Sequence, residues 1–129
     1  PMAYDYGVMR DCHLSHFLTD WMGDDGWLVQ QSSEIRKFNY IGDSHVITGE
    51  VVGKRVDDDG RHVVDIEMRG TNQRGDVTCP GTAVVALPSK EHGPVVLPEP
   101  PADLQAQAAQ RMARHRELVA ERKATGPPG

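Results

Sequence analysis

Apolar residues follow helical spacing early in the chain and strand spacing afterwards. Within Asp11–Met22, Leu14, Phe17, Leu18 and Trp21 stand at i, i+3, i+4 and i+7, which predicts an amphipathic helix of about three turns. Asp11 stands where a carboxylate can accept backbone N–H bonds at a helix start. Gly23-Asp24-Asp25-Gly26 stops the helix. Pro1–Arg10, with Gly7 inside it, reads as an irregular approach. From Trp27 the period changes to two, and four strands are expected: Trp27–Tyr40, His45–Val56, His62–Thr71 and Asp76–Leu87. Ile41-Gly42-Asp43 and Asn72–Gly75 are turns, and Asp57-Asp58-Asp59-Gly60 is a hairpin tip in which Asp-Gly supplies positive φ at low cost. Cys79-Pro80-Gly81 interrupts the last strand, and a proline there predicts a bulge or an edge position.

Past Pro88 the character shifts. Residues 89–101 form a linker rich in proline, and 102–125 are helix-favouring, with Ala, Gln, Arg and Glu throughout. The apolar content of that helix is thin (Leu104, Ala108, Met112, Leu118, Val119), as expected of a solvated tail helix docked on its own domain or on a partner.

Composition narrows the class. A chain of 129 residues suits one globular domain. With aromatics at 5%, aliphatic strands must supply the core. The formal net charge is −5 and no basic stripe interleaves with aromatics, so nucleic acid is not an expected partner. No apolar run approaches the ~20 residues that span a bilayer, and no signal-peptide pattern is present, so neither a membrane nor secretion is expected. Cys12 and Cys79 lack CxxC spacing and read as reduced thiols of a cytoplasmic protein. The opening Pro1-Met2 fits either a remnant ahead of Met2 or a piece of a longer polypeptide.

Several short motifs in fixed order carry a family resemblance. Tyr4-Asp5-Tyr6-Gly7, His16 and Asp20–Gly26 resemble the central-helix region of MaoC-like acyl dehydratases and enoyl-CoA hydratases, which have the hot-dog fold. Arg36–Tyr40 with Gly42-Asp43 resembles their following strand and turn. Asn72–Gly75 and Pro80–Ala83, closed by Val84–Pro88, resemble their last two strands. The likeness covers roughly Tyr4–Pro88. It implies an α+β fold, an antiparallel sheet wrapped around one central helix. The hot-dog domain would occupy 1–88 and lack its N-terminal part, with the tail helix outside the resemblance. It further implies reversible hydration of a trans-2-enoyl-CoA, with a coenzyme A thioester as substrate and neither a cofactor nor a metal. Members of the family place Asp and His in an Asp-x-Asn-Pro-x-His segment ahead of the central helix, and these 129 residues contain no such segment. The expected partner is therefore a second hot-dog, in a homo- or hetero-oligomer, that carries the Asp/His chemistry.

The chain's own site residues are weighed against that expectation. Hydration needs a group acting on water, a group handling the α-proton and an N–H donor for the enolate oxygen. Asp11 and His16 share the family's five-residue separation, but on a helix i and i+5 diverge by about 140°. His13, His16 and Asp20 can be drawn as metal ligands, with nothing else to complete a site; an i, i+4 pair of His16 with Asp20 is the simpler expectation. His16, Asp11 and Asp20 thus remain as catalytic expectations. His13, Arg36, Asn39, Asn72 and Arg74 have the residue types that hold a pantetheine amide or a phosphate. The backbone N–H groups of Asp11 and Cys12 are the expected oxyanion donors. Two rival functions stand beside the hydratase: a hot-dog thioesterase, in which Asp11 or Asp20 directs water at the thioester, and a non-catalytic acyl-CoA-binding or structural partner.

Overall fold

A computed structural model describes residues 2–126; Pro1 lies outside them, as do 127–129. The element order is α1 (Gly7–Met22), β1 (Trp27–Ser33), β2 (Val46–Val56), β3 (His62–Thr71), β4 (Val77–Ala86) and α2 (Ala102–Thr125). The chain forms two compact units, which part between Val96 and Leu97. In the first, the four strands make one antiparallel sheet in the order β1-β4-β3-β2. Strands β2, β3 and β4 follow one another through tight turns, and β1 pairs on the far side of β4.

Alternation decides which residues face α1. On β3, Val64, Ile66 and Met68 turn inward and meet Val85, Ala83 and Gly81 of β4, their register partners. Leu14 and Leu18, both fully buried, pack on this surface together with Cys79. The intervening Glu67 and Arg69 of β3 point to the opposite, solvated face. This one-sided pattern is what an antiparallel sheet with a single covered face requires.

The structure corrects the expected elements at several points. Helix α1 starts at Gly7, not Asp11, because its inward line begins one turn earlier, at a fully buried Arg10, and runs on through Leu14 and Leu18. Trp21, expected to close the buried stripe, is 48% exposed. It lies in the last turn, where its indole lines an open cleft of about 660 Å³ with Val51, Val56 and Leu87. Strand β1 ends at Ser33, well short of Tyr40, which makes only an isolated bridge to Tyr4. Pro80 lies in a central strand, not at an edge, and it pairs in register with Arg69. Its missing N–H is tolerated because β1 has just ended there: the Glu34 N–H donates to the Pro80 carbonyl at 2.9 Å and asks nothing of the proline nitrogen.

In the second unit, α2 carries Asp103 in its first turn and Arg122 and Lys123 in its last, each sign suited to the helix dipole. Leu104, Met112, Leu118 and Val119 are exposed. No helix among the described residues is long and apolar enough to cross a membrane.

Candidate functional site

The polar centre of the molecule is built on the first two turns of α1. A cation is unfavourable at the positive end of a helix, and Arg10 is buried there as well. Asp5, just ahead of the helix, resolves both problems. Its carboxylate accepts from Arg10 Nε at 2.8 Å and from Nη2 at 2.5 Å. Arg10 Nη1 donates to the carbonyls of Lys37 at 2.5 Å and Thr78 at 3.3 Å. Hydrogen bonding to Arg10 is the main reason that the Asp5 carboxyl stays below the ordinary carboxylate range. The pair thus ties the start of α1, the segment after β1 and strand β4 to one point.

Beside it lies His45. Its ring centroid is 6.0 Å from that of His13 on α1, and its own two nitrogens are buried without a hydrogen-bond partner. Burial, then the nearby His13 and Arg10, push the His45 imidazole below its usual value. The ring fits because β3 carries a glycine opposite: a Cβ at Gly70 would stand 1.9 Å from His45 Nε2. The buried Asn39 side chain lies beside Asp5 and helps to lower its carboxyl, while its backbone carbonyl accepts from the Asp5 N–H at 3.0 Å.

The residues singled out by sequence are distributed differently. Asp11 is exposed and accepts a short bond from Ser33 Oγ, while its carbonyl accepts from Ser15 Oγ at 2.8 Å and Gln31 Nε2 at 3.2 Å. Its carboxylate therefore braces α1 against β1 and does not cap the helix. His16 and Asp20 are exposed, and the expected ion pair between them is absent among the described residues. The backbone N–H groups of Asp11 and Cys12 fall in the second turn and are used by the helix ladder, so the unpaired donors lie in the turn beginning at Gly7. Arg36 is exposed and pairs with Glu34 at 2.9 Å. Asn72 and Arg74 are turn-builders. The Asn72 amide oxygen accepts from the N–H groups of Arg74 and Asp76, and Arg74 grips Asp43 with two 2.8 Å bonds. That grip holds the Asp43 carboxyl far below its ordinary range. Of the named residues, only His13 and Asn39 lie at the Asp5–Arg10–His45 centre. Cys12 is exposed, Cys79 is buried, and both are free thiols.

Arg10 and His45 were missed by sequence reasoning. An arginine four residues before Leu14 extends the inward line of the helix, and an aspartate five residues earlier supplies its counter-charge; that spacing was the available signal. His45 stands next to a polar turn and gives no such sign.

The geometry has counterparts among solved structures. The unliganded R-hydratase PhaJ1 of Pseudomonas aeruginosa aligns with a TM-score of 0.60 and 21% identity, over 76% of this chain and 61% of its own. The (R)-hydratase of A. caviae involved in PHA biosynthesis aligns at 0.58 and 24% identity, over 66% and 63%. The ChsH1-ChsH2 complex from Mycobacterium tuberculosis aligns at 0.55 and 19%, over 65% and 61%. This is a hot-dog fold. Thioesterases match the same hot-dog sheet and helix with TM-scores from 0.50 to 0.53. The R-hydratase likeness and the MaoC-like motifs agree at the level of the hot-dog fold, and the chain spans less than two thirds of the length of the first three structures. No protein-family model matches the chain, and no curated protein does.

Proposed function

We propose that this hot-dog is one part of an acyl-CoA hydratase/dehydratase, a lyase of lipid metabolism that interconverts a trans-2-enoyl-CoA and a 3-hydroxyacyl-CoA. Its site is completed by a second hot-dog, either another copy or a different chain. The observation that carries the reading is the scatter of acid and base groups along α1. Asp11 is engaged by Ser33, and His16 and Asp20 face outward without pairing to each other. Addition of water across C2=C3 needs an acid–base group and an enolate-stabilising donor converging within hydrogen-bond reach of one substrate. A helix face whose groups do not converge suits one wall of a site, with the reacting pair supplied by the other wall. The R-hydratase neighbours favour this chemistry, and the ChsH1-ChsH2 complex offers a precedent for two chains of this kind together. The sheet also ends in two edge strands, β1 and β2, each paired on one side only within the sheet, and a free edge invites a further partner.

A thioesterase is the second reading. It is favoured by the Asp11 carboxylate, exposed on the central helix and oriented by Ser33, together with the thioesterase neighbours. Crotonyl-CoA and butyryl-CoA separate the two when given to the assembly isolated from its native cells through a tag on this chain. The hydratase reading expects loss of the enoyl absorbance of crotonyl-CoA without free thiol. Release of coenzyme A from butyryl-CoA, with no hydration, would replace it by the thioesterase.

A further inference from the structure

An imidazole whose two nitrogens are both shielded from water and unbonded is costly to hold, most of all when charged, and calls for an explanation. His45 is held in this way between α1 and β3. The charged or titratable groups around it are few. From α1 come His13, with ring centroids 6.0 Å apart, and Arg10; from the segment ahead of the helix comes Asp5, whose carboxylate is already committed to Arg10. From β3 comes only Gly70, with no side chain. A proton added to His45 would therefore meet two cation-forming neighbours and no free carboxylate. It would also need acceptors for two N–H groups where the structure offers none.

We propose that His45 is a pH switch for the first two turns of α1: neutral, it stays in the slot opposite Gly70 and fixes His13 on the helix; protonated, it leaves the slot and releases that contact. The deprotonated ring carries no net charge and leaves one donor and one acceptor unmet, a smaller cost than burying the imidazolium, so the slot is occupied at neutral pH. On protonation the charge gains far more from water than from its surroundings, and the ring swings toward solvent. His13, Asp11 and Cys12 lie on the segment that the switch releases. The consequence for catalysis rests on the acyl-CoA hydratase reading, whereas the switch itself does not.

The test is NMR of the full chain, titrated from pH 8 to pH 5 by way of the His45 ring and the amides of residues 8–14. The expected result is a His45 midpoint below 6.5, the value of an unperturbed ring, with the α1 amides shifting at the same midpoint. In His45→Phe, which fills the slot and cannot titrate, the amide transition should be lost. His45→Gln serves if the phenylalanine variant does not fold. His13→Gln should move the His45 midpoint upward, because it removes a like-charged neighbour. Amides that do not move as His45 titrates, or a transition that survives His45→Phe or His45→Gln, would overturn the switch. Crotonyl-CoA turnover by the native assembly over the same pH range is a separate readout. If hydration is absent while the amide transition is present, the hydratase reading fails and the switch stands.

Discussion

At the scale of single residues, burial and freedom to repack set the expected costs. Leu18 is fully buried under the sheet, so Leu18→Ala should cost about 2–5 kcal/mol. Trp21 is half exposed at the rim of a cleft, so Trp21→Ala should cost only about 1 kcal/mol. Chemical denaturation of the two variants checks the order; equal losses would place the indole in the core. Gly70→Ala forces a methyl into the space of the His45 ring, and about 1–3 kcal/mol should be lost to overpacking. His45→Ala should relieve most of that loss in a double-mutant cycle, and additivity of the two would show that they do not touch. The pH dependence has a definite sign. The Asp5, Asp43, Asp57 and Asp76 carboxyls all titrate below their ordinary value of 3.8, so the folded state binds fewer protons than the unfolded chain there. Stability present above about pH 4 should fall as these groups protonate. His45 adds an earlier loss of the same sign, starting near pH 6.5 where the unfolded ring first takes up a proton. Melting temperature against pH should decline in two stages, and His45→Phe should remove the first.

At the scale of elements, the sequence was legible wherever one face of an element is dry. Strand β3 matches its expected bounds, His62–Thr71, because Val64, Ile66 and Met68 alternate with polar residues along most of its length and a tight turn closes each end. Strand β1 was read too long because Ile35, Phe38 and Tyr40 stand among polar neighbours as strand residues do, yet Ile35 and Phe38 fall out of step with a period of two and stay exposed outside any strand. Alternation shows what a strand would need but not whether a neighbour is there to pair. The start of α1 was hidden by charge: Arg10 and Asp5 look like solvated residues, and their burial depends on carbonyls of Lys37 and Thr78 far along the chain. Of the two readings of Pro80, a bulge or an edge, the edge fails because β4 is central, while the register of β4 against β3 does shift beside it, between Val77 and Cys79. The Asp5–Arg10 pair gives the test at this scale. Asp5→Ala leaves a buried guanidinium without its carboxylate and should cost about 3 kcal/mol or more, beyond any surface ion pair such as Arg36–Glu34. Near-equal melting temperatures for Asp5→Ala and Glu34→Ala would remove the pair from the framework of the fold.

At the scale of the whole molecule, the motifs spread over Tyr4–Pro88 were enough to give the hot-dog fold, because their order follows the helix, the turns and the last two strands along the chain. The site was less legible. Chemistry that depends on two walls leaves only half its pattern on either one, and the residues named on this chain proved to be divided among turns, exposed helix positions and one buried centre. Pairing should be visible directly: sedimentation at micromolar concentration is expected to show a species heavier than the 14.2 kDa chain, and a monomer would contradict it. The claim that this chain is the accessory wall of a hydratase is tested most directly by crotonyl-CoA hydration with the native assembly carrying wild-type or His16→Ala chains. Turnover by the variant is predicted to stay within about tenfold, a barrier change near 1.4 kcal/mol. A thousandfold loss with the fold intact would place the chemistry on α1 and contradict the account.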